Sequence, residues 1–228
     1  MKSHKFKEKI EEKLRNHFSV GGIEIKIIDP LPDSVDLRSV ANKIIKMIPR
    51  HLLGNIDLIK VGNFEKLQKR SLDAMYQNSV IYLSNNHDKD SDIIDDLVHE
   101  IAHSNESRYK QIIYGDKVLK KEFLAKRKIL WRLLKEIGHR VELSDFLNHK
   151  FSSKLDNMFY KEIGYQNLGI YTSNLFYSPY AATSLREYFA NGFEAFFMKE
   201  DVSKLKKVSP VLYQKIVDLA FIKEKTYN

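Results

Sequence analysis

The stretch from residue 92 to residue 106 constrains the fold more than any other part of this chain of 228 residues. It reads DIIDDLVHEIAHSNE, and its apolar side chains recur at the spacing of a buried helix: Ile93, Ile94, Leu97, Val98, Ile101 and Ala102. Ser91 or Asp92 is the predicted N-cap, and the aspartates of the first turn suit the positive end of the helix dipole. Histidines in so apolar a helix are poor choices unless a ligand satisfies them.

His99 and His103 lie four residues apart in this helix, with Glu100 between them. The spacing projects both imidazoles from one face, so both can reach a single ion about 2.0–2.1 Å away. Glu100 is then placed to take a proton from water that the metal has acidified. Because the chain contains no cysteine, only His and carboxylates are expected to hold the metal. The motif predicts one Zn²⁺ per chain, with His99 and His103 as ligands and Glu100 as the catalytic base.

A catalytic zinc ion takes three protein ligands, so the chain must supply another. Glu106 is expected to face solvent, while His139 and His149 are expected at a helix end and in a polar turn. The better candidate is Glu187, in an aromatic helix that Ser184 can cap. A carboxylate is costly to bury in such a helix without a cation or a metal as partner.

Other polar residues of the two helices are candidates for supporting roles. Asp95 and Asp96 could fix the tautomer of His99 by a hydrogen bond, although aspartates there also fit simple charges near a helix N-terminus. Asn191 and Glu194 follow Glu187 on the same side of its helix and could support the site by hydrogen bonds. Glu194 is also the reserve metal ligand.

Periodicity along the chain predicts an α+β architecture in one domain, residues 1–228, with a small mixed sheet in the N-terminal half and a mostly helical C-terminal half. Residues 1–78 form its N-terminal α/β part, and residues 79–220 its motif-bearing catalytic part. The predicted elements before the motif are helices near residues 7–18 and 37–48 and strands at 23–28, 56–61 and 79–83. The last strand comprises Ser79, Val80, Ile81, Tyr82 and Leu83. It is predicted to be an edge strand that pairs with an extended peptide substrate, with an internal strand as the alternative.

The formal net charge of +8 favours association with acidic partners in general and identifies none of them. The densest basic stretch, residues 110–135, has helical apolar spacing, which favours a solvated basic face over a nucleic-acid surface. No apolar run approaches the length of a membrane span, and the first residues lack the apolar core of a signal peptide. The cytoplasm is the default location, with release from the cell and association with a virion as alternatives. The oligomeric state is left open.

The residues named above resemble one family of zinc peptidases. HEIAH at 99–103, together with Tyr180 seven residues before Glu187 in the frame Y-x6-E-Y-F-A, resembles the catalytic domain of anthrax lethal factor and the related Pro-Pro endopeptidases. The segment KLKKVSPVLYQKIVDL is similar to the closing helix of that family. The resemblance covers roughly residues 79–220 and implies a gluzincin-type, zincin-like metallopeptidase. Metzincins are excluded, since they would have Gly at 106 and His at 109.

The resemblance implies that Glu187 is the third zinc ligand and that Tyr180 stabilises the oxyanion. Two features depart from the family pattern: a longer stretch between His103 and Glu187, and Asn191 where the family has a second glutamate. The expected function is hydrolysis of peptide bonds in a peptide or protein substrate by a zinc endopeptidase. One alternative resembles SprT-type proteases that act on DNA-bound proteins, with His139 or His149 as third ligand. The other is a non-catalytic zinc-binding protein of a bacteriophage or mobile element.

Overall fold

The computed structural model describes residues 16–222. It confirms the mixed α+β class, with a small five-stranded sheet and a helical C-terminal half. The chain forms two compact units, Met1–Asn105 and Glu106–Asn228. The predicted single domain, and its division near residue 79, stay predictions.

The first unit contains all five strands of the described sheet. They are β1 His17–Val20, β2 Ile23–Ile27, β3 Leu58–Val61, β4 Ala74–Gln77 and β5 Val80–Leu83. The helices are α1 Leu37–Met47, α2 Arg50–Leu53, α3 Glu65–Gln68 and α4 Asp90–Arg108, whose last three residues belong to the second unit. The strand order is β1-β2-β3-β5-β4, with β2, β3 and β5 parallel and the outer strands antiparallel to their neighbours.

The core of the first unit lies along the three parallel strands. Ile25, Ile59 and Ile81 are aligned across β2, β3 and β5, and each is at most 5% exposed. Burying an isoleucine side chain contributes about 1.5–3 kcal/mol, so this row strongly favours the observed register. The predicted strands and the helix near residues 37–48 are confirmed, with small differences at their ends.

The prediction that Ser79–Leu83 forms an edge strand is wrong. Val80–Leu83 forms β5, which pairs with β3 on one side and with β4 on the other, and Ser79 lies in the turn before it. The reason is that β4 and β5 form a hairpin, in which β4 pairs with the side of β5 that would otherwise be the edge of the sheet. Its turn residues, Asn78 and Ser79, have φ of 51° and 61°, the left-handed values that a two-residue hairpin turn requires. Ala74–Gln77 is therefore the edge strand on this side of the sheet.

The first strand was also absent from the sequence prediction. The helix predicted near residues 7–18 lies almost entirely outside the described residues, and its last two positions, His17 and Phe18, belong to β1. Gly21 and Gly22 turn the chain into β2 with φ of 62° and 91°. Glycine adopts these angles without a steric penalty, so the pair favours a tight hairpin.

The second unit is helical throughout its described part. Its α-helices are α5 Lys110–Tyr114, α6 Val118–Glu136, α7 Leu143–Leu147, α8 Ser153–Asn157, α9 Tyr165–Thr172, α10 Leu185–Phe197, α11 Val202–Val208 and α12 Pro210–Ala220. A π-helix, Met158–Ile163, follows α8, and a 3-10 turn, Tyr180–Ala182, precedes α10. None of the helices in residues 16–222 is both long enough and apolar enough to cross a membrane. The cytoplasmic location stays a prediction.

Helix α10 forms the centre of the second unit. Tyr188, Phe189 and Phe193 are fully buried, and Tyr188 packs against Phe123 of α6 with ring centroids 5.5 Å apart. Gly192 allows α12 to approach closely, since a side chain at this position would collide with Leu212. This packing fixes the axis of α10 and hence the position of the polar residues in its first turn.

Candidate metal centre

Helix α4 presents His99 and His103 on one side. Both side chains are half-buried, and their ring centroids lie 4.9 Å apart with the ring planes at 80°. A ring nitrogen of His99 lies within 4.8 Å of a ring nitrogen of His103. The opposite side of the helix is anchored in the core by Leu97, Val98 and Ile101, each at most 2% exposed. The predicted arrangement of the two histidines is therefore present in this unit, and its donor atoms suit zinc.

Glu100 lies between the histidines and is buried against the edge strand. It is only 9% exposed, and its Oε2 accepts a hydrogen bond of 2.6 Å from the backbone N–H of Tyr76 on β4. Bonds from N–H groups to a charged carboxylate are among the stronger hydrogen bonds in proteins. The carboxylate is thus held at the edge strand of the sheet.

An ion pair that the sequence does not reveal joins the loop before α4 to the second turn of that helix. The imidazole of His87, which is 7% exposed, contacts the Asp96 carboxylate at 2.6 Å through Nε2 and the Ser84 carbonyl at 3.0 Å through Nδ1. Both contacts require a proton on the ring nitrogen, so the geometry fits an imidazolium ion. His87 lies in a polar loop, and only its approach to Asp96 in the folded chain reveals the pair.

The predicted supporting residue Asp95 lies near this ion pair. It lines a cavity of about 330 Å³ together with Asp73, Asn86, His87, Asp88, Asp92 and Asp96. The supporting role of Asp95 stays a prediction.

Replacing His87 with Gln should destabilise the protein more at pH 6 than at pH 9. Burial lowers the pKa of His87, but the hydrogen bonds to Asp96 and Ser84 and the charges of Asp96 and Asp73 outweigh it, so the net effect raises the pKa above 6.5. A raised folded-state pKa stabilises below 6.5, and this contribution is lost as the pH rises through the folded-state value. Urea unfolding should show a loss of about 2 kcal/mol at pH 6, in the range for hydrogen bonds to charged groups.

The matched control for this measurement is His17→Gln. His17 also has a carboxylate neighbour, Glu24 at 3.6 Å, but its side chain is 50% exposed. Exposed ion pairs contribute little, so its replacement should leave the unfolding free energy nearly unchanged at both pH values. An equal loss at pH 6 and pH 9 in His87→Gln would contradict a charged His87.

Glu187 occupies the first turn of α10 in the second unit. Ser184 caps this helix, and its side-chain oxygen accepts a hydrogen bond of 3.2 Å from the Glu187 N–H. The start of the helix is fixed further by Leu185, whose N–H donates to the His149 carbonyl at 2.9 Å. The Glu187 side chain is half-buried. As predicted, Glu187 is a carboxylate near the start of an aromatic helix.

A buried arginine holds the segments that lead into α10. Arg127 on α6 is fully buried and donates to the carbonyls of Asp145 at 2.7 Å and Asn148 at 2.9 Å, with a longer bond of 3.5 Å to Thr183. Asp145 lies in α7, Asn148 directly follows α7, and Thr183 directly precedes Ser184, the N-cap of α10. Arg127 therefore stabilises the backbone that precedes Glu187. The basic residues of α6 were expected on a solvated face, but Arg127 and Lys126 are both buried.

Glu106 is not the solvent-facing residue that the sequence suggested. Its side chain is 14% exposed, and its two carboxylate oxygens accept bonds of 3.0 and 3.1 Å from Nε of Arg186, the residue before Glu187. The hydroxyl of Tyr114 donates to it as well, at 3.2 Å. Burial and the Glu106 charge raise the pKa of Tyr114, which keeps this hydroxyl protonated. These partners give Glu106 a structural role at the end of α4.

Tyr180 lies in the 3-10 turn before α10, and its half-buried ring contacts that of Tyr165 at a centroid distance of 6.2 Å. The segment before it is tied to α10 because Ser178 donates a short hydrogen bond to Oδ1 of Asn191. Asn191 is 8% exposed, so this bond accounts for the burial of its amide oxygen. Its predicted role beside the metal, and that of Glu194, stay predictions.

The two alternative histidine ligands are less well placed. In residues 16–222, neither His139 nor His149 belongs to a group of three His, Asp or Glu side chains close enough to share a metal ion. Burial and the charges of Lys120 and Lys150 lower the pKa of His149. The neutral form of this imidazole is therefore explained without a bound metal.

Comparison with known proteins identifies no relative: no family profile, curated protein or solved structure matches the chain. Its function is therefore inferred from its own residues.

Proposed function

We propose that the protein is a zinc-dependent endopeptidase of the zincin-like class, and that His99, His103 and Glu187 hold the zinc ion. The observation that carries the proposal is the arrangement on α4, where two half-buried imidazoles share one side of the helix and the residue after the first of them is a buried glutamate. Two imidazoles and one carboxylate are a donor set typical of catalytic zinc sites, which keep a fourth position for water or substrate.

The assignment of Glu187 as third ligand is supported by its neighbours. Arg186 is bound to Glu106, and Glu106 lies three residues after His103 on the same continuous helix. Arg186 directly precedes Glu187, so this ion pair ties the start of α10 to the last turn of α4. The Ser184 cap also fixes the backbone of Glu187, whose N–H donates to the serine side chain.

The residues of the chain suit the steps of peptide hydrolysis. A bound zinc ion supplies a Lewis acid that polarises a carbonyl and acidifies water. Glu100 would take the proton from the attacking water and deliver it to the leaving amine, since it directly follows His99 on α4. Tyr180 donates its hydroxyl proton in a hydrogen bond to the oxyanion that forms at the scissile carbonyl.

The open edge of β4 is the proposed binding place for the peptide main chain, in place of the predicted Ser79–Leu83. An edge strand offers unpaired N–H and C=O groups to which an extended peptide can pair. The hydrogen bond from Tyr76 to Glu100 supports this choice, because it places the proposed base at that edge. A peptide paired along β4 would therefore have its backbone close to the carboxylate that activates water.

Removal of metal should abolish cleavage, and zinc should restore it. The test incubates wild-type protein with a peptide library and detects products by mass spectrometry, before and after treatment with 1,10-phenanthroline. Addition of one equivalent of Zn²⁺ should recover the activity, while Mg²⁺ should not, because imidazole ligands favour zinc over magnesium. Persistent cleavage by protein that elemental analysis shows to be free of metal would contradict the proposed function.

A further inference from the structure

Two glutamates act on the guanidinium group of Arg186 in the second unit. Glu106 accepts bonds of 3.0 and 3.1 Å from Nε of Arg186 through its two carboxylate oxygens. Glu187, the proposed zinc ligand, is the next residue along α10. Guanidinium ions bind carboxylates through strong, charge-assisted hydrogen bonds, so each glutamate is a chemically suitable partner. The observed bonds hold Nε of Arg186 against Glu106.

The charge of Glu187 also reaches this guanidinium. Burial lowers the pKa of Arg186, but the charge and hydrogen bond of Glu106 and the charge of Glu187 outweigh it, so the pKa is raised above its ordinary value. Arg186 is therefore a permanent cation beside a proposed metal ligand. Such a cation opposes metal binding in two ways, because it repels the metal ion and because it pairs with the carboxylate that would bind the ion.

The Glu106 carboxylate is the fixed member of the ion pair. The hydroxyl of Tyr114 on α5 donates to it at 3.2 Å, and the Tyr114 ring packs against Phe189 of α10 with ring centroids 6.2 Å apart. The Glu106 side chain is 14% exposed, whereas that of Arg186 is 62% exposed. If the carboxylate lost its charge, the long and more exposed arginine would therefore be the member that changes partner.

We propose that Glu106 is a positioning residue of the zinc site, which neutralises Arg186 and so keeps this guanidinium from competing with zinc for Glu187. The inference rests on the proposed function, since it requires Glu187 to be a zinc ligand. It goes beyond a structural role of the ion pair. If the pair only anchored α10, loss of either partner would have the same effect on zinc binding. If Glu106 acts through charge, its loss is harmful only while Arg186 is present.

The zinc affinity of three variants, measured by competition with a fluorescent chelator, tests this inference. Glu106→Gln should bind zinc about tenfold more weakly, the lower end of the range for partners of metal ligands. Arg186→Gln should bind zinc at least as tightly as the wild type, because the Ser184 cap and the bond from Leu185 to the His149 carbonyl still hold the start of α10. The double variant, Glu106→Gln with Arg186→Gln, should recover wild-type affinity, since the two effects are coupled.

Salt dependence gives a second readout that a loss of structure would not produce. Raising the NaCl concentration from about 0.1 to 1 M shortens the screening length from about 10 to 3 Å, so the defect of Glu106→Gln relative to wild type should shrink. Asp116→Asn is the matched control, because it removes the carboxylate of another ion pair of this unit, with Lys215 at 2.7 Å. Lys215 has no proposed ligand next to it in the sequence, so this variant should keep wild-type affinity at both salt concentrations.

The outcomes separate this inference from the proposed function. Equal losses in Glu106→Gln, Arg186→Gln and the double variant would show an anchoring role alone and would overturn the inference. Unchanged affinity in Glu106→Gln would overturn it too, while the proposed ligands would stand. A wild type that binds no zinc would contradict the metal site and the inference together. If the double variant recovers affinity but no peptide is cleaved by the wild type, the positioning role is supported and the hydrolytic function fails.

Discussion

Glu100→Gln protein is expected to bind zinc as the wild type does and to cleave peptides at least about a hundredfold more slowly, the lower limit typical of general acid–base catalysis. Glutamine has the same shape as glutamate, and its amide oxygen can still accept the hydrogen bond from the Tyr76 N–H. It cannot take a proton from water at neutral pH. The variant therefore separates the chemical role of Glu100 from its contact with β4.

The measurement is kcat/KM on the best peptide from the library, with zinc content and thermal unfolding recorded on the same samples. Asp92→Asn is the matched control, because it also changes a carboxylate to an amide on α4 but at an exposed position in the first turn. It should retain wild-type activity. Cleavage by Glu100→Gln at the wild-type rate would remove Glu100 from the role of base.

Glu187→Ala should lower zinc affinity by at least about a hundredfold. Mutation of a residue that only hydrogen-bonds a metal ligand already lowers metal affinity about ten- to a hundredfold, and Glu187 is proposed to be a ligand itself. Two imidazoles would remain, which is fewer ligands than a catalytic zinc site normally has. Competition with a fluorescent chelator measures the change. The fold should be retained, since the Glu187 backbone N–H that bonds Ser184 is unaffected by the substitution.

Glu194→Ala is the control for this experiment. Glu194 is a half-buried glutamate seven residues further along α10, and it is the reserve ligand. Its replacement should change zinc affinity little. The opposite pattern, with affinity lost in Glu194→Ala and kept in Glu187→Ala, would transfer the ligand assignment to Glu194.

The elements that bury one regular face could be predicted from the sequence. Helix α4 and the strands β2, β3 and β5 carry apolar residues at the helical or extended period, and the structure confirms each of them. The common face of His99 and His103 follows from the same periodicity. Local spacing is sufficient here because the residues concerned belong to a single element.

The missed features depend on contacts between distant parts of the chain. Strand β4 reads AMYQ and has no strong strand pattern, and its turn uses Asn78 and Ser79 instead of glycine. The bond from Tyr76 to Glu100 depends on where that strand packs. Arg127 belongs to a lysine-rich helix and looks solvated in the sequence, but in the fold it donates hydrogen bonds to the carbonyl groups of Asp145, Asn148 and Thr183.

X-ray absorption at the zinc K-edge, on wild-type protein loaded with one equivalent of zinc, tests the central claim most directly. We expect a four-coordinate ion with two imidazoles and two oxygen ligands at about 2.0–2.1 Å, one oxygen from Glu187 and one from water or substrate. Glu187→Ala should lose one of the oxygen ligands. A first shell with three imidazoles in the wild type would contradict the account and would point to His139 or His149 as the third ligand.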